Sequence, residues 1–157
     1  MAVPKIREEE YYTMYTDGSA VTNPGAAGIG YVIKNMKNTN IYSNSLKIKD
    51  GINTCAEYAA LISGLKSAIN LGIKRIQVFS DSSLIVSQVD GQWMVDENSL
   101  ILYCNESQHL LEKLQLVTIE WIQRDYNKEA DYLARLANGD LFRTPPRKRG
   151  RPKKKKQ

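Results

Sequence analysis

The sequence is poor in the residues that form disulfides and cysteine–histidine metal sites. Its 157 residues include two cysteines, Cys55 and Cys104, and one histidine, His109. These numbers exclude a disulfide framework and a zinc site. No apolar run approaches the roughly 18 residues of a membrane span, and the first residues, MAVPKIREEEYY, lack the apolar segment of a secretory signal. We therefore expect an intracellular protein of the cytoplasm, nucleoid or nucleus, not a secreted or membrane protein.

Positive charge is concentrated at the C-terminus. The net charge is +5, from 22 Lys and Arg against 17 Asp and Glu. Eight of the 22 lie in residues 144–157, which contain no acidic residue, so residues 1–143 carry 14 basic and 17 acidic residues and a net charge of −3. Such a tail favours a polyanionic partner, with nucleic acid as the first candidate and an anionic membrane surface as the second.

Length and composition predict one domain with a polar segment on each side. The hydrophobic content of 42% is sufficient for a single core. We expect a flexible leader at 1–10, a folded domain at 11–140 and a disordered basic tail at 141–157. We also expect a monomer.

Apolar periodicity and turn signals predict five strands and four helices. The three early strands are joined by turns and form an antiparallel meander. The later strands alternate with helices, and such crossovers make strands one, four and five parallel. The sequence therefore predicts an α/β fold with a mixed sheet. The strands are predicted at 11–17, 26–34, 40–48, 74–80 and 117–122, and the helices at 52–72, 82–90, 98–114 and 127–137.

Four acidic residues occupy positions where a core or a strand end is expected. Asp17 ends the first predicted strand and Asp81 the fourth, at the carboxyl ends where open α/β sheets bind ligands. Glu57 lies on the apolar stripe of its helix, four residues before Leu61. Asp131 lies near the start of the last helix. Carboxylates on an apolar stripe are unfavourable unless they are paired, protonated or bound to metal.

Converging carboxylates without histidine or thiolate are typical of a site for a hard cation, Mg²⁺ or Mn²⁺. Two such ions about 3.5–4 Å apart are a common apparatus for in-line attack on a phosphodiester. Simpler interpretations stay open for three of the acids. Asp17 is also compatible with a turn, Asp81 with a helix cap, and Asp131 with an ion pair to Arg135. Glu57 has no comparable alternative.

Four sequence motifs around these acids resemble ribonuclease H of the type 1 class. The motifs are YTDGSAVTNPGAAGIGYVI, NTCAEYAALISGL, FSDSSLIVSQVDGQW and WIQRDYNKEADYLARLA. They occur in the order of that family, and the resemblance spans roughly residues 11–138. The resemblance is to the short, archaeal-like form of the class, and it implies a five-stranded mixed sheet with helices on both faces.

The resemblance implies hydrolysis of the RNA strand of an RNA–DNA hybrid. In-line attack of water, supported by two Mg²⁺ ions with Mn²⁺ as a substitute, would leave a 5′-phosphate and a 3′-hydroxyl. The hybrid would be read through 2′-hydroxyls in the shallow minor groove, so cleavage would be sequence-tolerant. The positions that match the catalytic, metal-binding acids are Asp17, Glu57, Asp81 and Asp131. The positions that match substrate contacts are Gly18, Ser19, Asn23, Asn53, Thr54, Arg124 and Asn127.

The chain departs from the family at two places. Many members have a histidine in the loop before the last aspartate, but here the loop is Gln123-Arg124-Asp125-Tyr126, and His109 lies in a helix upstream. Arg124 replaces the histidine only electrostatically, because it stays protonated near neutral pH. The basic helix that some members insert is also missing, since the segment at that place, residues 91–99, is short and acidic. Trp93 in this segment fits a core position better than a sugar contact.

The tail RKRGRPKKKK at 147–156 resembles an AT-hook, which binds the minor groove of A·T-rich DNA. Inserted arginines suit a narrow, negatively charged groove. Gly150 permits close approach and Pro152 favours an extended path. The residues of this predicted DNA contact are Arg147, Arg149, Gly150, Arg151 and Pro152. A nuclear import signal and an inert solvated tail remain open.

Two further functions compete with hydrolysis. One is a non-catalytic nucleic-acid-binding protein of the same fold, tethered to DNA by its tail. Retention of all four acids argues against it, because binding a polyanion gains nothing from a negative cluster. The other is a domain excised from a retroelement polyprotein.

Overall fold

The computed structural model of the chain describes residues 5–91 and 98–140, which form one sheet with four helices. The strands are β1 (Tyr11–Ala20), β2 (Gly25–Lys34), β3 (Asn40–Gly51), β4 (Arg75–Ser80) and β5 (Leu116–Trp121). The helices are α1 (Asn53–Leu71), α2 (Ser83–Val89), α3 (Asn98–Leu111) and α4 (Lys128–Asn138), with a 3₁₀ turn at Arg124–Tyr126.

The sheet has the strand order β3-β2-β1-β4-β5. β1 and β3 pair antiparallel with β2, whereas β4 pairs parallel with β1 and with β5. The predicted mixed sheet, with an antiparallel meander and three parallel strands, is therefore confirmed.

Local signals end the helices where they were expected, with one exception. Ser82 caps α2, since its Oγ accepts a hydrogen bond from the amide of Ile85 at 3.3 Å. Gly72 and Gly139 follow α1 and α4 with left-handed φ angles of 89° and 81°, which glycine adopts without strain. The predicted end of α3 at residue 114 is wrong. The helix ends at Leu111, because the next backbone hydrogen bonds are tighter turns between residues three apart.

The hydrophobic core lies between one face of the sheet and the helices α1, α2 and α3. α1 is buried around most of its circumference. Burial of such side chains contributes about 1.5–3 kcal/mol each, so this layer dominates the stability of the domain. Its most buried members from strands and α1 are Tyr12, Met14, Ile33, Tyr58, Leu61, Leu65, Ile76 and Val78.

α4 packs on the opposite face of the meander. Neighbouring residues of a strand point to opposite faces. Gly18 of β1 meets α1, because a Cβ there would lie 2.2 Å from the carbonyl of Ala56. Gly30 of β2, which pairs with Asp17, meets α4, because a Cβ there would lie 2.5 Å from the carbonyl oxygen of Ala130. Helices therefore cover both faces, as predicted.

Some sequence predictions concern residues at or beyond the limits of the described ranges. Residues 5–10 form neither strand nor helix, but Ile6 packs against the core and the amide of Arg7 donates to the Tyr12 hydroxyl at 3.1 Å. This part of the predicted leader is therefore attached to the domain. The AT-hook residues and Trp93 lie outside the described residues. No helix of the described part is long and apolar enough to cross a membrane.

Candidate active site

Asp17 and Asp81 lie next to each other where the parallel pairing of β1 with β4 ends. The parallel pairing of these strands ends at Thr16 and Ser80, so each aspartate follows the last paired position. β1 continues for three residues beyond Asp17, because it pairs onward with β2. The prediction that Asp17 ends its strand is therefore wrong. Its position at the carboxyl edge of the parallel strands is as expected.

Glu57 reaches the same edge from the first turns of α1. The helix approaches β1 closely because Gly18 has no side chain; a Cβ there would lie 2.5 Å from the amide nitrogen of Glu57. Ser82, at the N-terminus of α2, bonds to the Glu57 side chain. Glu57 is half-buried at the border of the core rather than enclosed in it. It lies on the apolar side of α1, but its carboxylate interacts with Asp17 and Asp81 at the sheet edge.

Asp131 comes from the first turn of α4 and shares a hydrogen bond with Asp17. Arg135, one turn later, places Nη1 3.9 Å from Asp131 Oδ2. The ion pair considered from the sequence is therefore present. Arg135 is also held by Asp140, whose Oδ2 accepts from Nε at 2.8 Å. The structure thus brings all four predicted acids together, from β1, α1, α4 and the turn after β4.

Electrostatics at this edge disfavours four ionised carboxylates. Burial raises the pKa of Asp17 well above its usual range, and repulsion from Asp81 and Asp131 raises it further. Burial also raises the pKa of Glu57, and the bond from Ser82 and the charge of Arg124 only partly oppose this. The cluster therefore holds more negative charge than its neighbouring cations compensate.

The donor set fits a hard divalent cation. All four side chains are carboxylates, and the nearby Oδ1 of Asn127 is buried without a hydrogen-bond partner among the described residues. Within residues 5–91 and 98–140, no three Asp, Glu, His or Cys side chains are arranged to hold an ion as they stand. The carboxylates bond to protein groups instead; Asp17, for example, accepts from the Gly18 amide at 3.0 Å.

Asn127 positions Asp81. Its Nδ2 donates to the Thr16 carbonyl at 2.9 Å and to Asp81 Oδ2 at 3.1 Å. Asn127 is only 1% exposed, so this position does not support the predicted contact with a nucleic acid. Its observed contacts are with the sheet edge, and they orient an acid of the cluster.

Asn23 and Asn53 join the β1–β2 turn to the start of α1. Oδ1 of Asn23 accepts from the amide of Asn53 at 2.9 Å, and Oδ1 of Asn53 accepts from the amide of Ala20 at 2.7 Å. Because both carbonyl oxygens accept backbone bonds, the NH₂ groups are the parts that can donate to an anionic ligand.

The other predicted site residues occupy varied environments. Ser19 Oγ pairs with Asn138 Nδ2 at 2.7 Å, which ties β1 to the end of α4. Thr54 is half-buried in the first turn of α1, and Arg124 is exposed in the 3₁₀ turn. His109 is exposed on α3.

Trp121 is a residue that sequence reasoning missed. It ends β5, and its indole Nε1 donates to the backbone carbonyl of Asp81 at 3.1 Å while the residue remains 51% exposed. An aromatic residue at the carboxyl end of the third parallel strand was the available signal.

A five-stranded sheet of this order with acidic residues at its carboxyl edge defines a ribonuclease H-like domain. The profile of the reverse transcriptase-like family matches residues 15–137. Over 119 residues the chain is 35% identical to bifunctional protein Rv2228c of Mycobacterium tuberculosis, a match that covers 75% of this chain and 33% of that protein. This chain belongs to the reverse transcriptase-like family.

Two solved structures extend the likeness. RNase H1 of the archaeon Halobacterium salinarum has a TM-score of 0.81 at 30% identity, over 83% of this chain and 98% of that one. LC11-RNase H1, solved in complex with an RNA/DNA hybrid, has a TM-score of 0.77 at 34% identity, over 83% and 99%. The chain spans about a third of the length of the first curated relatives that it matches.

Proposed function

We propose that this protein is a metal-dependent endoribonuclease that hydrolyses the RNA strand of RNA–DNA hybrids. The observation that carries the proposal is the convergence of Asp17, Glu57, Asp81 and Asp131 at one sheet edge, where burial and mutual repulsion raise the pKa of Asp17. A site that destabilises its own charge is suited to bind divalent cations. Membership of the family and the likeness to RNase H1 structures support the same conclusion.

The four carboxylates would hold two Mg²⁺ ions, with Mn²⁺ as a substitute. The ions would supply a lower pKa for the attacking water and charge neutralisation on the phosphate and the leaving oxygen. The protein's own part is to aim the carboxylates. Asn127 and Trp121 fix Asp81 from its side chain and its backbone. The products would be a 5′-phosphate and a 3′-hydroxyl.

Substrate recognition would use the backbone of the hybrid rather than its bases. Asn23 and Asn53 border the acids and can donate through their NH₂ groups to phosphate or 2′-hydroxyl oxygens. Gly18, Ser19 and Thr54 surround them. Arg124 is exposed beside Glu57 and supplies a positive charge at the loop where many relatives have histidine. These contacts predict little dependence on base sequence.

The test is cleavage of an end-labelled RNA–DNA hybrid in Mg²⁺, in Mn²⁺ and in EDTA. Single-stranded RNA and duplex DNA serve as substrate controls. We expect metal-dependent cleavage of the hybrid's RNA strand alone, with 5′-phosphate ends. Folded protein that binds the hybrid but cuts nothing in either metal would contradict the proposal and favour the non-catalytic binding protein.

We further propose that the basic tail tethers the domain to A·T-rich duplex DNA and that the protein acts as a monomer. If the tail contacts six phosphates, raising the salt concentration from 50 to 200 mM should weaken binding by about 10³-fold. Replacing Arg149 and Arg151 with alanine should remove any preference for A·T-rich duplex. Equal binding to A·T-rich and G·C-rich duplex by the unmodified protein would contradict the AT-hook and leave a general polyanion contact.

A further inference from the structure

We propose that Trp121, Arg124 and Tyr126 form a substrate-binding surface, here called the rim, that holds the sugar–phosphate backbone of the nucleic acid beside the acids. The proposal rests on the function proposed above and adds residues that grip its substrate. It also supplies a contact surface in a chain whose sequence lacks the basic insertion.

The rim lies on the carboxyl edge of the sheet. Asp17 follows the last residue of β1 that pairs with β4, Asp81 follows the end of β4, and Trp121 ends β5 at the same edge. The chain then turns back through the 3₁₀ turn at Arg124–Tyr126, and Asn127 bonds to β1 and to Asp81. Asn127 therefore lies over the ends of the strands that carry Asp17 and Asp81. Tyr126, the residue before it, lines a cavity with Tyr15 and Lys34 on the face of the sheet that α4 covers.

The rim exposes large side chains where burial would be expected. Trp121 is 51% exposed and Tyr126 is 73% exposed. Trp and Tyr are enriched at binding interfaces, because one end of the ring is apolar and the other is polar. The indole of Trp121 is also held in place, because its N–H bonds to the Asp81 carbonyl at 3.1 Å. A fixed aromatic ring loses little entropy when it binds.

The charges of the rim suit a phosphate backbone. Arg124 is exposed, and its charge reaches Glu57. Lys128 is exposed nearby, and Asp125 is the opposing acid on the same turn. The negative charge of Glu129 is compensated, because its carboxylate pairs with Lys34 at 2.7 Å. Exposed aromatic rings together with exposed cations are the combination that proteins use along nucleic-acid strands.

The geometry of a duplex decides what the rings would touch. Bases inside a hybrid are stacked on one another, so their faces are not available to side chains. The edges of the sugars are available along the minor groove. The rings of Trp121 and Tyr126 would therefore pack against sugars, while Arg124 would pair with a phosphate.

The experiment measures the Kd of a fluorescent hybrid in EDTA, so that binding is separated from cleavage. We expect Trp121→Ala and Tyr126→Ala each to raise the Kd by roughly 5- to 10-fold, which corresponds to about 1–1.4 kcal/mol, because each removes a ring that would pack against a sugar. Arg124→Ala should reduce the slope of log Kd against log salt by about 0.9, the value for one phosphate. Tyr11→Ala is the matched control. Tyr11 is 41% exposed but lies six residues before Asp17, about 20 Å away along β1.

A second variant separates binding from positioning. Trp121→Phe keeps a ring but loses the N–H that bonds to Asp81. The proposal expects near-normal Kd and KM for this variant, and a raised KM with kcat within about twofold for Tyr126→Ala. A lower kcat with unchanged Kd in both Trp121 variants would show that Trp121 only positions Asp81, which would overturn its place in the rim.

The outcome for the rim is distinguishable from that for the proposed function. Unchanged Kd in Trp121→Ala and Tyr126→Ala, with normal cleavage by the unmodified protein, would reject the rim and leave the nuclease intact. Weakened binding in both, with no cleavage in Mg²⁺ or Mn²⁺, would support the rim and reject the nuclease.

Discussion

Strand β1 contributes both to the core under α1 and to the acidic edge of the sheet, but the two regions follow opposite physical rules. Tyr12 and Met14 of β1 are 2% and 0% exposed among apolar neighbours. The buried polar groups of that layer are paired, as Tyr58 is with Gln88. Asp17, only three residues beyond Met14, is 9% exposed among other acids that raise its pKa.

The difference indicates what each region is for. The core lowers the free energy of the folded state, whereas the acidic edge raises it unless a proton or a cation is bound. Stability and the proposed chemistry should therefore be separable by substitution, and the predictions below test this separation.

Asp81→Asn should have the largest effect on the edge. Asparagine keeps the size of the side chain and an oxygen that accepts from Asn127, but it removes a charge that would hold metal. We expect cleavage to fall by on the order of 10²–10³-fold, the cost of losing one electrostatic contact to a reacting group. The melting temperature in EDTA should be unchanged or higher. Cleavage at a rate comparable to that of the unmodified protein would remove Asp81 from the site.

Leu61→Ala should have the converse effect on the core. Leu61 is 1% exposed on α1, one turn after Glu57. Truncation of such a leucine lowers the free energy of unfolding by about 2–5 kcal/mol. Denaturant titration should show this loss, while the folded fraction keeps its rate per molecule at low temperature. A rate that falls while the protein is still folded would show that the two regions are coupled through α1.

Gly30→Ala should affect both regions, because it lies where α4 meets the sheet. The added Cβ would lie 2.5 Å from the carbonyl oxygen of Ala130, so α4 must move outward together with Asp131. We expect a loss of about 1–3 kcal/mol and a lower cleavage rate in the folded protein. Gly51→Ala is the matched control, since the nearest atom to its Cβ would be 3.8 Å away. Equal behaviour of the two variants would contradict this account of α4.

The order of elements was predictable from the sequence, and the contacts that organise the site were not. Strand and helix patterns repeat within a few residues, so β1 to β5 and α1 to α4 follow from local periodicity. The bond from Asn127 to Thr16 joins residues 111 positions apart, and no local pattern contains it. The same applies to Gly30, whose contact with α4 depends on packing.

The four acids were predictable for a different reason. Charged residues at strand ends or on an apolar stripe stand out against their surroundings, and the fold collects them at one edge. Asp17 was misplaced within β1 because the sequence shows a turn signal after it, whereas pairing with β2 extends the strand. Trp121 was missed because its bond to the Asp81 carbonyl joins residues 40 positions apart, and no local pattern contains that contact.

Asp17→Asn should change stability less than the Leu61 and Gly30 variants do, and its sign is the sharpest test of the comparison. Because the folded-state pKa of Asp17 is raised, protonation favours the folded state. The free energy of unfolding of the metal-free protein should therefore decrease as the pH rises through that pKa. Asparagine stays neutral, so the variant should melt higher at pH 7 in EDTA by roughly 4 °C, about the shift that 1 kcal/mol produces in a domain of this size.

The pH dependence identifies the cause of that gain. The difference should disappear at pH values below the ordinary pKa of 3.8, where Asp17 is protonated in both the folded and the unfolded chain. Adding Mg²⁺ at pH 7 should stabilise the unmodified protein more than the variant, because only the former keeps all four carboxylates. A variant that is less stable than the unmodified protein in EDTA at neutral pH would show that the acidic edge contributes to folding, and the contrast with the core would be lost.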